Sequence, residues 1–157
     1  MTNKEWFAGA KFGMMIHWGL YCLPAGEWRG RRMEDIGEWA MQYFRIPLAE
    51  YRMLAGAFNP ILFDAEEWVR TAKDAGMQYM VFTSKHHEGF AMFHSDVSKY
   101  NIVDATPFGR DVTAELAEAC YKHGLKFGLY YSQDLDWSDP NGGGYLTPAN
   151  NHGPRDR

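Results

Sequence analysis

Cysteine is scarce in this chain: two residues in 157, Cys22 and Cys120, with no spacing of a metal or redox motif. They read as reduced core or loop residues. No stretch approaches the roughly 18 apolar residues of a membrane span, so no membrane partner is expected. The first residues, Met1-Thr2-Asn3-Lys4-Glu5, lack the apolar segment of a signal peptide, and no Asn-x-Ser/Thr acceptor occurs. A cytoplasmic location is the expectation that follows. Charge of one sign is also short, the net being −4. The lone basic cluster, Arg29-Gly30-Arg31-Arg32, is followed at once by Glu34 and Asp35 and reads as a solvated loop, so no nucleic-acid partner is expected.

Aromatic residues are what the chain has in excess. They make up 16% of it, with six Trp, nine Tyr and ten Phe. Aromatic faces stack on the C–H surfaces of sugars, and they also fill cores; composition alone favours the core. Hydrophobic residues at 46% and charged residues at 23% describe a globular chain, and its length fits one domain with a core of ordinary size.

Three short apolar runs read as buried strands: Phe12–His17, Met77–Thr83 and Leu125–Tyr131. Between the second and third lies a helix capped by Asp111 and stopped by Gly124. Before the second, Asp64 caps a helix with Glu67 at the capping-box position and Gly76 as the stop. Short helices are expected at Asp35–Phe44 and Pro47–Ala57, the second with Pro in its first turn. Strand, helix, glycine, strand, helix, glycine, strand is the grammar of a parallel sheet with helices outside. No phosphate-cradling glycine loop follows the first strand, which disfavours a nucleotide-binding doubly wound sheet and favours a barrel. Eight barrel strands usually need about 250 residues. Three strands are visible, and the tail from Asp139 to Arg157 reads as loop. An isolated unit of this kind has two open sheet edges, an aggregation hazard.

Polar residues gather just past the strand ends, where parallel α/β folds bind ligands: His17-Trp18-Gly19, Lys85-His86-His87-Glu88-Gly89 and Ser132-Gln133-Asp134. Adjacent strand residues face opposite ways, so His86 and His87 share a pocket only if the backbone turns between them, which Gly89 permits. Glu38-Trp39 sets a carboxylate beside an indole, a pairing that suits a sugar's hydroxyls and its apolar face, or equally an exposed helical Glu beside a core Trp. Asp136-Trp137 repeats the pairing in a segment the sequence does not place. Trp28, Tyr43, Tyr130 and Tyr131 are candidates for pocket walls. A metal centre on His17, His86 and His87 is the rival reading, but paired ligands at strand or helix spacing are lacking and no metal is expected.

The ordered set of segments resembles the family 29 α-L-fucosidases. Ala10–Tyr21 is similar to the opening strand of that family, Glu38-Trp39 to its Glu-Trp element, and Phe63–Trp68 to its second helix. Thr83–Phe90 is similar to its double-histidine segment, and Gly124–Ser132 with Asp136-Trp137 to its third strand and loop. The similarity runs from about Trp6 to Trp137; Glu88 stands where the family often has Asp.

The resemblance implies an α/β fold, the N-terminal portion of a (β/α)8 TIM-like barrel with about three βα units. Residues 1–157 are then a partial catalytic domain that stops before the fourth strand and lacks the family's C-terminal β-sandwich. It implies a retaining glycosidase that removes terminal α-L-fucose from oligosaccharides or glycoconjugates without a cofactor. His17, Glu38, His86 and His87 would hydrogen-bond the fucose hydroxyls, and Trp39 with one of Tyr130 or Tyr131, Tyr131 being the choice, would line the pocket. The Asp nucleophile and the Glu acid/base are expected beyond Arg157, so these residues alone are expected to be inactive. Two other readings stay open: a non-catalytic fucose-binding module, and a metal-dependent barrel hydrolase.

Overall fold

Thr2 opens the first helix, α1 (Asn3–Ala10), by accepting from the backbone N–H of Glu5, while the Glu5 carboxylate accepts from the Thr2 N–H. This reciprocal pair satisfies two of the backbone donors that every helix start leaves free. The computed structural model describes residues 2–139 and 141–143, so most of the tail expected to be loop lies outside the described residues.

A three-stranded parallel sheet forms the centre: β1 (Met14–Ile16), β4 (Tyr79–Lys85) and β5 (Lys126–Tyr131), side by side in that order. Between β1 and β4 run a two-residue hairpin, β2 (Glu27–Trp28) and β3 (Arg31–Arg32), and three helices, α2 (Ala40–Tyr43), α3 (Leu48–Arg52) and α4 (Ala65–Asp74). Between β4 and β5 run α5 (Ile102–Ala105) and α6 (Val112–His123). The three expected strands are all present, shifted by at most two residues at either end. Met14, Met15 and Ile16 pair with Met80, Val81 and Phe82, and Tyr79 to Thr83 pair in step with Lys126 to Tyr130. A bulge at Ser84 then breaks the step, and Lys85 comes opposite Tyr131.

The aspartate and glycine helix signals in the sequence have their physical counterparts, whereas Glu67 contributes only its backbone N–H to the cap. Asp64 accepts from the Glu67 N–H and Asp111 from the Ala114 N–H, each capping a helix start. Gly124 closes α6 in the left-handed conformation that glycine adopts without strain. Helices α4 and α6 pack beside each other, and Val69, Ala72, Leu116, Ala119 and Cys120 are buried in one cluster with Met80 and Phe82 of the central strand. Trp18, just past β1, sits among Phe58, Phe63 and Trp68 with ring centroids 5.0–5.5 Å from it or from one another. Much of the aromatic excess is therefore core.

Two local expectations change. Arg29–Arg32 is not a plain loop but the turn and second strand of the hairpin, with positive φ at Arg29 and Gly30 matching the backbone sense of tight hairpin turns. Pro47 is the cap of α3 rather than its first residue, and the last turn tightens to a 3₁₀ segment at Met53–Ala57. Among the described residues β1 and β5 each pair on one side only, and Met15 and Leu129 stand half-exposed.

Candidate functional site

β4 ends at Lys85, and the chain turns at once: the Gly89 N–H donates to the His86 carbonyl at 3.1 Å. Gly89 has a φ of +81°, and a side chain there would also overlap the Ser138 hydroxyl. That turn lets two consecutive histidines face the same way, which an extended strand forbids. Their ring centroids lie 4.0 Å apart, and both residues are buried.

Around this pair the structure collects side chains from four segments. His17, exposed at the end of β1, has its ring 5.7 Å from His86. Tyr130 stacks on His86 at 5.8 Å and lies 5.9 Å from His17. Tyr21 meets the edge of His86 at 5.4 Å. Trp39, in the single 3₁₀ turn Gly37–Trp39, stands 5.3 Å from His87, and Trp137 is 5.4 Å from both. Glu38 occupies the same turn as Trp39, and its charge is felt by Tyr21 and by Glu88.

Five of the six side chains expected at the site, His17, Glu38, Trp39, His86 and His87, thus converge. Tyr131 does not. It is half-exposed, with its ring 4.8 Å from the Lys85 ammonium. Strand alternation explains the difference. Thr83 follows the Ile16–Phe82 register by one step and pairs with Tyr130, so His17, Thr83 and Tyr130 share one face of the sheet. Tyr130 is the tyrosine that meets the histidines.

Ser132 fixes the state of His87. Its hydroxyl donates to the Leu135 carbonyl at 2.6 Å and lies 2.7 Å from His87 Nδ1. With its single proton spent on the carbonyl, the hydroxyl can only accept from Nδ1–H. The other ring nitrogen, Nε2, is then an acceptor. Burial first, then the Lys85 charge and His17, hold the His87 pKa below its ordinary value. Burial, then His87 and His17, bring His86 down to about 3. Both imidazoles are therefore uncharged near neutral pH and act as hydrogen-bonding groups.

The loop after β5 is tied down from below. Lys85 forms an ion pair with Asp136, whose other oxygen accepts from the Ser138 N–H at 2.9 Å and hydroxyl at 2.7 Å. The Trp137 backbone N–H donates to the His87 carbonyl at 2.7 Å, and the indole is fully buried. Asp136-Trp137, unplaced by the sequence, is the floor that supports Trp39 and His87. Glu88 lies deeper, 1% exposed, and burial, Asp136 and Glu38 push its pKa up to about 8 against the pull of its own backbone N–H and Lys85. Among the described residues no group of three or more His, Cys, Asp or Glu side chains is disposed to hold a metal ion.

A protein-family model described as α-L-fucosidase matches residues 1–154. A putative α-L-fucosidase of Caenorhabditis elegans is 38% identical over 145 residues, covering 87% of this chain and 30% of that protein. Unliganded α-L-fucosidase AlfC of Lactobacillus casei superimposes with a TM-score of 0.88 at 65% identity, over 91% of this chain and 44% of that one. The L. casei protein has also been solved with α-L-fucose product, and a point variant of it with Fucα(1,6)GlcNAc. The α-L-fucosidase of Vibrio sp. strain EJY3 superimposes with a TM-score of 0.89 at 45% identity, over 94% of this chain and 26% of that one. The chain thus spans under half the length of the relatives it matches.

Proposed function

The chain belongs to the α-L-fucosidase family, and from that premise we propose that it carries the fucose-gripping part of a retaining α-L-fucosidase active site. The observation behind this reading is the convergence of three histidines with Tyr130 and Trp39 at the strand ends of a parallel sheet. A deoxy sugar offers hydroxyls on one part of its ring and a methyl group on another. Neutral imidazoles and the Glu38 carboxylate serve the hydroxyls, and the indole of Trp39 serves an apolar face. The L. casei relative, solved with α-L-fucose and a fucosyl disaccharide, makes terminal α-L-fucose the substrate to test first.

The residues that cleave are proposed to lie outside this chain. Retaining hydrolysis needs two carboxyl groups about 5–5.5 Å apart across the anomeric carbon. Of the carboxylates near the histidines, Glu88 is buried and Asp136 is committed to Lys85 and Ser138. Glu38 is left, and we assign it to sugar hydroxyls. The role of this chain is then to bind: contacts that tighten as the sugar ring flattens toward the oxocarbenium-like transition state lower the barrier even though they break no bond.

We further propose that β1, β4 and β5 with their helices are the first three units of a (β/α)8 barrel. The parallel order β1-β4-β5, and outer edges of β1 and β5 that are unpaired among the described residues, support it. The stereochemistry is tested by proton NMR of the sugar first released by the product of the complete gene. Fucose released with the α-configuration of the substrate agrees with retention, and the β-anomer overturns it.

A further inference from the structure

We propose that Glu88 is a positioning residue that sets which ring nitrogen of His86 carries the proton, and so whether His86 donates to or accepts from a sugar hydroxyl. The hydroxyl clause rests on the proposed function; the protonation clause does not.

The geometry is a pair of orphaned atoms facing each other. His86 Nδ1 and Glu88 Oε2 lie 3.8 Å apart, and each is buried with no hydrogen-bond partner among the described residues. A buried polar atom left unpaired forfeits the hydrogen bond it would make with water, so the two have a strong reason to meet. An approach of about 0.8 Å brings them to hydrogen-bonding distance. The carboxyl has little freedom to go elsewhere. A methyl group at Gly19 would sit 3.2 Å from Glu88 Oε1 and 2.8 Å from the ring of Tyr21. Gly19 thus keeps open the space that the carboxyl fills.

Proton counting gives two states for the pair. When Glu88 is protonated, its O–H donates to Nδ1 of a neutral His86, and the single ring proton is on Nε2. When Glu88 is ionised, Nδ1–H donates to the carboxylate, and Nε2 becomes an acceptor. His87 has no such choice, because Ser132 holds its proton on Nδ1. With Glu88 protonated the adjacent rings therefore offer one donor and one acceptor, and with Glu88 ionised they offer two acceptors.

The surroundings place the change in an accessible range. Glu88 feels Asp136 and Glu38, which disfavour its ionisation, and Lys85 and its own backbone N–H, which favour it. The tyrosines Tyr21, Tyr51 and Tyr100 feel Glu88 in turn, and the buried hydroxyls of Tyr51 and Tyr100 have no partner among the described residues. On the other side His86 is faced by His87 and His17. Burial outweighs these charges and puts the Glu88 midpoint at about 8.

The test is nitrogen-15 NMR of histidine-labelled, sugar-free protein expressed from the complete gene, with the His86 ring followed through about pH 8. The expected result is a ring proton that moves from Nε2 to Nδ1 as pH rises, and a ring state that no longer changes with pH in Glu88→Gln. A wild-type His86 with the same tautomer on both sides of the transition overturns the proposal, and so does a swap that persists in Glu88→Gln. If Glu88→Gln does not fold, the wild-type titration alone decides. Absence of fucoside hydrolysis would instead count against the proposed function, since the ring measurement uses no sugar. In an active enzyme, Glu88→Gln is expected to remove an inflection in KM near pH 8.

Discussion

Lys85 and Asp136 are joined by an ion pair between the last residue of β4 and the loop after β5, 51 positions apart in the chain. Both side chains are mostly buried, at 8% and 18% exposed. Removing one partner of such a pair strands the other charge away from water, which costs more than the pair itself contributes. Lys85→Met is therefore expected to lower stability by about 3 kcal/mol, read from the urea unfolding midpoint. It also loosens the loop that carries Trp137, so Trp fluorescence should shift to the red in the folded variant.

Ser132 exerts a smaller and more local control. Ser132→Ala leaves His87 Nδ1–H buried without an acceptor, and a loss of about 1–3 kcal/mol in stability is expected. Because the ring is then free to change tautomer, the KM of the complete gene product for an aryl α-L-fucoside should rise, by about tenfold if roughly 1.4 kcal/mol of binding is lost. Ser132→Thr keeps the hydroxyl and should retain most of both properties.

Tyr130 and Tyr131 should separate cleanly. Tyr130 stacks on His86, whereas Tyr131 is half-exposed over Lys85. Tyr130→Ala is expected to weaken fucose binding by about tenfold or more, consistent with losing an aromatic contact beyond its area. Tyr131→Ala should change it less than about twofold, since exposed positions contribute little. Isothermal titration with fucose distinguishes the two, and equal effects would contradict the assignment.

The buried acid and base also predict how stability follows pH. His86 falls from 6.5 to about 3 on folding, so below 6.5 the unfolded chain takes up a proton that the folded one refuses. Its contribution is present above 6.5 and is lost as pH falls toward about 3. Glu88 rises from 4.5 to about 8, so its contribution is complete below 4.5 and is lost as pH rises through about 8. Between 4.5 and 6.5 the two slopes oppose each other. Their sum is a plateau there with a decline on either side, measured as the melting midpoint against pH. Glu88→Gln should remove the alkaline decline and leave the acid one.

What could be read from the sequence is what local chemistry dictates. Asp64 and Asp111 cap helices because a short acceptor beside free N–H groups has few alternatives, and Gly124 ends one because a left-handed residue suits glycine. The histidine pair was legible from Gly89, which signals the turn that brings the two rings together. Alternation alone says that Tyr130 and Tyr131 face opposite ways. Which one faces His17 depends on strand register and on the bulge at Ser84, and neither is local. Ser132, Glu88 and Trp137 stood out in the sequence, but not what they touch, since the partners of each lie in other segments or across a turn. By contrast, Thr2 and Glu5 carried a capping-box spacing that announces α1 in the sequence itself.

The most direct test of the account is hydrolysis of an aryl α-L-fucoside by the product of the complete gene, with His86→Ala and the 157-residue chain run beside it. Release of the aglycone by the complete product is expected, at a rate reduced by about tenfold or more in His86→Ala, with none from the short chain. No release by a well-folded complete product would contradict the enzymatic reading and favour a sugar-binding module. Release by the 157-residue chain would contradict the placing of the cleaving carboxylates outside it and make Glu38 the residue to mutate next.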